Sequence, residues 1–305
     1  MSLLEETLVS VLENRPPAAE IILVHDGSYT DPYDLDDEIR FIVDCNSRTC
    51  CELLNAGLQA CKTEIAHIVM AGTIVRENWT NGMVERFGNP RIATVSPLIT
   101  DLTKPESVVS QGVRLSWGGT RHLSGAGKVL SERLLQRVQV AGPSLLAGFY
   151  RVDTVLDVGG FATDVGDELA DVDLAMTLSS LGYRCEFARE CRIAAPAVSV
   201  PAMGFHGGRY HERLFWRHVQ SRGKLRSLLS HPFTILSRAL GDLPHPGSVW
   251  QLLGRLCALT DRASYREYRL MLDQRRKPST IPLPAPLATD ASSHSTAPRT
   301  ARRAA

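Results

Sequence analysis

The sequence has seven cysteines, Cys45, Cys50, Cys51, Cys61, Cys185, Cys191 and Cys257, and no CxxC pair among them. That odd, unpatterned set excludes a disulfide framework and the common zinc sites, and fits reduced thiols. No run is long and apolar enough to span a bilayer. No basic segment followed by an apolar one opens the given sequence, so the expected location is cytoplasmic, with the inner face of the membrane left open. Neither sign of charge is in excess: 34 Lys and Arg stand against 33 Asp and Glu, for a net charge of +1. That balance gives no global attraction to nucleic acid, so no nucleic-acid partner is expected. No G-x-G-x-x-G follows the first apolar run, which counts against a nicotinamide enzyme. Internal repeats are absent as well.

What the 305 residues do contain is an alternation. Leu4, Leu8, Val11 and Leu12 recur at helical spacing, and Arg15-Pro16-Pro17 closes that helix. Short apolar runs follow at Ile21–Val24, Phe41–Val43, Ala66–Ala71 and Ile92–Pro97, separated by helical stretches at Glu52–Cys61 and Asn81–Phe87. Such runs read as strands buried on both faces. The fold class expected is α/β, an open and mostly parallel Rossmann-like sheet. Further strands are expected at Leu145–Arg151, Tyr183–Ala188 and Arg192–Ala194, with a short helix over Val152–Val158 and an irregular excursion over 100–142. Helices are expected over 208–240 and Val249–Gln274. From Pro278 to Ala305 the chain is rich in Pro, Ser, Thr and Ala, too poor in apolar residues to offset its ordering entropy, and is expected to be disordered.

In a parallel sheet, ligands sit beyond the carboxyl ends of the strands. Three stretches fall there: Asp26-Gly27-Ser28, Met70-Ala71-Gly72-Thr73, and the acidic run Gly159–Leu174, GGFATDVGDELADVDL. In the last, Asp171 and Asp173 directly precede Leu174, Met176, Leu178 and Leu181, which places them at or near a helix N-terminus. Free amides there favour an ionised carboxylate, and such a group facing a cleft can serve as a general base. Helix capping is the bland alternative for these residues, and an Asx turn the bland alternative for Asp26.

Taken in order, HDGS at 25–28, Asn55-Ala56-Gly57, MAGT at 70–73, GGFATD at 159–164, ADVDL at 170–174 and LGYR at 181–184 resemble the motifs of the family 2 glycosyltransferases, over roughly residues 4–195. The resemblance implies a GT-A fold and inverting transfer of a sugar from a nucleotide-sugar to an acceptor hydroxyl on a glycan or lipid-linked acceptor, as in polysaccharide biosynthesis. It implies donor contacts from Asp26, Gly27, Ser28 and Gly72, Asp171 as the base, and Asp173 as loop support. The segment Val109–Gly127 resembles the variable acceptor side.

Three departures stand out. The family's D-x-D carboxylates, which hold Mg2+ or Mn2+, fall on Met70 and Gly72; neither binds a hard cation, so no metal ligand is assigned. Arg76 and Arg209 are candidate replacements. The family's first strand precedes the first helix present here, so a truncated start is expected. A His that can reach the metal in the family has only a late counterpart, His206, for which a structural role is the alternative. The expected domains are a transferase unit over 1–205, a helical extension over 206–277 and the tail over 278–305. The extension's arginines beside Phe215 and Trp216 leave two readings: peripheral contact with an anionic membrane, or a basic face on a helix packed against the domain.

Overall fold

A computed structural model describes residues 2–136, 138–197, 204–220, 223–241 and 247–276. The expected disorder of 278–305 lies outside the described residues. The chain begins with α1 (Leu3–Asn14), opened by a capping box in which Ser2 and Glu5 satisfy each other's backbone amides. β1 (Ile21–His25) and β2 (Ile39–Val43) pair in parallel. α2 (Cys50–Ala60) opens with a second capping box, Thr49 with Glu52. β3 (Ile65–Val69), β4 (Ile74–Val75), α3 (Met83–Phe87) and β5 (Ile92–Asp101) follow. The middle of the chain holds β6 (Val108–Ser110), the hairpin strands β7 (Val113–Leu115) and β8 (Arg121–Leu123), and α4 (Glu132–Gln136). Then come β9 (Ala147–Arg151), α5 (Val152–Asp157), α6 (Asp167–Ser180) and β10 (Arg184–Ala195), and finally α7 (Phe205–His218), α8 (Lys224–Gly241), α9 (Gly247–Ala258) and α10 (Arg262–Arg276).

The architecture is the expected α/β one, with a curled central sheet and the last helices gathered beside it. Six strands form that sheet in the order β3-β9-β5-β10-β4, with β6 on β5. Its longest ladder, β5 with β10, is parallel. β9 runs antiparallel between β3 and β5, so those two point the same way. β1 was expected in this sheet; it pairs instead with β2 alone, and β1 and β3 are not bonded to each other among the described residues. The strands expected at Tyr183–Ala188 and Arg192–Ala194 are one strand, β10, with an irregular register between Ala188 and Arg192. The sheet can continue there because Ala188 and Cys191 stay buried on either side of the exposed Arg189 and Glu190.

Period-two alternation along β9 divides the core. Phe149 joins Trp79, Phe87, Val95 and Ile193 on one face of the sheet. Tyr150 joins Leu58, Phe161, Leu174 and Leu178 on the other. α6 is buried nearly all round, since Leu169, Ala170, Val172 and Met176 are covered as well as Leu174 and Leu178. A helix apolar on every side belongs inside a domain. It brings Asp171 and Asp173 into the interior with it.

Candidate active site

α6 starts at Asp167, after Gly166 at φ +75°. The sequence placed Asp171 and Asp173 at or near the helix start; Asp171 is the fifth helical residue, in the second turn rather than the first. The apolar pattern already begins at Leu169 and Val172, within the acidic run, and Asp167 and Glu168 take the first turn, where acidic side chains suit the helix dipole. Asp171 therefore owes nothing to free terminal amides.

Its partner is Arg121 of β8. The guanidinium donates from Nε to Oδ1 at 2.8 Å and from Nη2 to Oδ2 at 2.5 Å, a two-pronged pair. The Leu145 amide donates to Oδ2 at 3.2 Å. Asp171 is only 2% exposed. Burial works against the Arg121 cation, but the Asp171 carboxylate outweighs it and raises the guanidinium above its usual range.

Helix packing fixes Arg121. The β7–β8 hairpin closes through Ser116 and Thr120, with the Ser116 amide donating to the Thr120 carbonyl at 2.8 Å. Gly118 and Gly119 at its tip leave no room for a side chain. A Cβ on Gly118 would lie 1.8 Å from Thr234 Oγ1 of α8, and one on Gly119 3.0 Å from Phe215 of α7. His231 stacks on Phe215 at 3.6 Å and its Nδ1 lies 2.8 Å from the Gly118 carbonyl.

Asp173, two positions on, points the other way, as the helical period requires. His218 Nε2 lies 2.8 Å from its Oδ1, and Arg217 Nη2 donates to its Oδ2 at 3.1 Å. Burial alone would raise the Asp173 carboxyl; Arg217 and His218 outweigh it and hold it below the usual range. Arg217 also donates to Asp164 at 2.8 Å. A cavity of about 320 Å³ opens on this side of α6, lined by the Gly159–Asp164 turn, Asn55, Thr177, Arg217 and Met271. It does not include Asp171.

The Met70–Thr73 loop lies on the Asp171 side. Met70 donates its amide to the Leu146 carbonyl at 3.0 Å, and Thr73 Oγ1 donates to the same carbonyl at 3.3 Å. One residue earlier, Leu145 holds Asp171. The strand end at 70–73 and Asp171 thus share one strip of backbone. Gly72, at φ +89°, lies beneath the first turn of α1 and donates to the Leu3 carbonyl at 3.2 Å and to Thr7 Oγ1 at 2.9 Å. Asp26, Gly27 and Ser28 end β1 in an exposed Asx turn, with the Ser28 amide donating to Asp26 Oδ1 at 3.0 Å. Those bonds to Ser28 lower the Asp26 carboxyl.

Two motifs meet through Asn55. Its side-chain amide donates to the Phe161 carbonyl at 2.9 Å, and its carbonyl accepts from the Phe161 amide at 2.8 Å. Gly160, at φ +74°, gives Asn55 room: a Cβ there would lie 2.2 Å from Asn55 Oδ1. Asp167 accepts from the Cys50 and Cys51 amides at 2.9 and 3.0 Å, tying the start of α6 to the start of α2. Sequence reasoning missed Arg121 and Asp167. The first stood in a segment without periodicity, and the second was one of five carboxylates in ten residues.

A divalent cation does not fit at the strand end. Met70 offers a thioether 4.0 Å from Cys50 Sγ, and Gly72 offers no side chain. No cluster of three or more His, Cys, Asp or Glu suited to a metal occurs among the described residues. Arg209, a candidate replacement, is held by Asp261 at 2.8 and 2.9 Å, and Arg76 is exposed. His206 is exposed on the first turn of α7.

No family model and no curated protein matches the chain by sequence. Solved structures do. "Crystal structure of GalNAc-T7 with UDP, GalNAc and Mn2+" aligns over 88% of this chain and 55% of that one, at 13% identity and a TM-score of 0.53. "Crystal structure of S. aureus TarS 1-349" aligns over 90% and 85%, also at 13% identity and 0.53. The fold is that of the GT-A glycosyltransferases. A mannosyltransferase, PcManGT from Pyrobaculum calidifontis in complex with GDP-Man and Mn2+, aligns over 90% and 81% at 16% identity, with a TM-score of 0.48 that adds no weight. In this fold Asp26 and Gly72 lie just beyond the carboxyl ends of β1 and β3, and Asp171 lies within α6.

Proposed function

We propose that the chain is a glycosyltransferase that moves a sugar from a nucleotide-sugar donor to an acceptor hydroxyl with inversion. The observation that carries this reading is the Asp171 carboxylate, fixed by Leu145 and Arg121 beside the 70–73 strand end of a GT-A fold. In this reading Asp171 takes the acceptor's proton. The acceptor oxygen bonds to the anomeric carbon, and the bond from that carbon to the diphosphate breaks. Arg121 must yield one carboxylate oxygen as the acceptor enters. It is then a fixed cation at the same end, able to offset charge on the departing diphosphate without a metal. Asp26, Gly27, Ser28 and Gly72 are assigned to the donor. Asp173 is assigned a supporting role through Arg217 and His218. The division into a transferase unit over 1–205 and a helical extension over 206–277 belongs to the same reading.

A second reading is binding of a nucleotide-sugar, a glycan or a partner protein without turnover. It is favoured by the occupation of both Asp171 oxygens and by the absence of carboxylates at 70 and 72. Incubation with a panel of nucleotide-sugars, with and without acceptors and Mn2+, separates the two. Transfer or donor hydrolysis that does not depend on Mn2+ is the expected result. Nucleotide-sugar binding with no turnover of any donor would support the second reading instead.

A further inference from the structure

α9 is built inside out. It buries Ser248, Gln251, Gly254, Arg255 and Ala258, and exposes Val249, Trp250, Leu253 and Leu256. The buried side is small because α7 crosses it at backbone contact: a Cβ on Gly254 would lie 1.9 Å from the Phe205 carbonyl oxygen, and one on Gly208 2.0 Å from that of Gln251. Arg255, the charged residue of that side, reaches Glu212 at 3.1 Å. The large apolar residues are left facing out, with Trp250 57% and Leu256 62% exposed. The adjoining α8 repeats the pattern. Leu225, Leu229, Phe233 and Leu236 form one stripe at steps of four, four and three, each more than half exposed. Trp117 stands at the start of α8, under the Arg226 guanidinium at 4.7 Å. Large apolar side chains exposed together on two adjoining helices point to an interaction site.

Charge identifies the occupant. Residues 206–277 carry 14 Lys and Arg against 5 Asp and Glu, while residues 1–205 carry 17 against 27. The near-neutral whole is a chain with an acidic body and a basic end. α8 and α9 contain no Asp or Glu at all, and Lys224 and Arg226 are exposed beside the first leucines of the stripe. Of the arginines that left a membrane reading open in the sequence, Arg226 lies on this face, while three others are engaged within the protein. Arg209 and Arg213 bind Asp261, Arg217 binds Asp164 and Asp173, and Phe215 is buried. No helix among the described residues is long and apolar enough to cross a bilayer. We infer that the α8–α9 face docks on an anionic lipid surface, with Trp250, Leu256, Leu229 and Phe233 in the interfacial layer and Lys224 and Arg226 against the headgroups. A second copy of the chain is the poorer fit, because it would bring one acid-free basic face against another. The inference does not depend on the proposed transfer chemistry.

The test is co-sedimentation of the full chain with vesicles of phosphatidylcholine alone and of phosphatidylcholine with phosphatidylglycerol. Binding is expected with the anionic vesicles, weakening as salt is raised. The substitutions Trp250→Glu and Leu256→Glu, both at exposed positions, should together lower partitioning by about tenfold or more without altering the melting profile. Lys224→Glu with Arg226→Glu should do the same, through the headgroup attraction. Trp250→Phe should still bind, but lose much of the blue shift of tryptophan fluorescence seen with wild type. A wild type that stays in solution with anionic vesicles at low salt overturns the proposal. Light scattering that then finds a dimer, made monomeric by Trp250→Glu, would assign the face to a second copy.

Discussion

Arg121 grips both carboxylate oxygens of Asp171, at 2.8 and 2.5 Å, from a hairpin wedged between two helices. The pair joins the central excursion to the middle of α6. Removing the cation leaves an uncompensated carboxylate in the interior, and breaking a buried pair in this way costs about 3 kcal/mol. Arg121→Met should therefore lower the urea midpoint by that equivalent. Arg121→Lys should fall between, because an ammonium cannot reproduce the planar fork. An Arg121→Met protein as stable as wild type would mean that the pair is not formed in solution.

His67 makes a prediction about pH. Its ring lies between Phe149 at 3.9 Å and Trp79 at 4.4 Å, and both ring nitrogens are buried without a partner among the described residues. Burial pushes the imidazole down to about 3. The unfolded chain takes up this proton near pH 6.5 and the folded chain does not. The stability is thus fully present above about pH 6.5 and is lost as pH falls toward 3, by at most about 1.4 kcal/mol per pH unit. An NMR titration should find the His67 ring neutral at pH 5. A midpoint near 6.5 would contradict its burial.

Asn55 should matter more than its partly exposed position suggests. Asn55→Ala removes two bonds to Phe161 and leaves that residue's amide and carbonyl without these partners, at a cost of about 2 kcal/mol. Thermal melting checks it; a shift indistinguishable from zero would show that the Gly159–Phe161 turn holds itself.

The strand end makes a prediction about metal. With a thioether at position 70 and no side chain at 72, Mn2+ should add nothing to the affinity for a nucleoside diphosphate. Calorimetric titration with and without Mn2+ measures this directly. A clear metal-dependent gain would mean that other ligands, Asp101 or His206 among them, take over the role.

The fold was legible in the sequence wherever periodicity was clean. The runs at Ile21, Ala66 and Ile92 became strands, and the helix expected at Glu52 begins two residues earlier, at the Thr49 capping box. Legibility failed where tertiary contacts set the structure. α6 begins earlier than its stripe suggested, because a helix buried all round has little amphipathic signal. Arg121 was invisible because its meaning lies in a partner 50 residues away. The Gly-Gly turn and Asn55 were legible as motifs, but only the coordinates show that each is the other's support. Arg209, Arg213 and Arg217 looked like a free basic face, since their acidic partners Asp261, Asp164 and Asp173 lie far off in sequence.

Asp171 carries the proposed chemistry, and a single comparison tests it. Asp171→Asn keeps the side chain's shape, removes its capacity to take a proton and leaves Arg121 without its counter-charge, so it also lowers stability. Steady-state kinetics on a donor that the wild type turns over should show kcat lowered by about 10²–10⁴-fold, with donor affinity nearly unchanged. Asp173→Asn, on the opposite face of α6, should lower stability and leave kcat within a few-fold, as positioning through Arg217 and His218 requires. An Asp171→Asn protein that turns over its donor at the wild-type rate would contradict the assignment of the base.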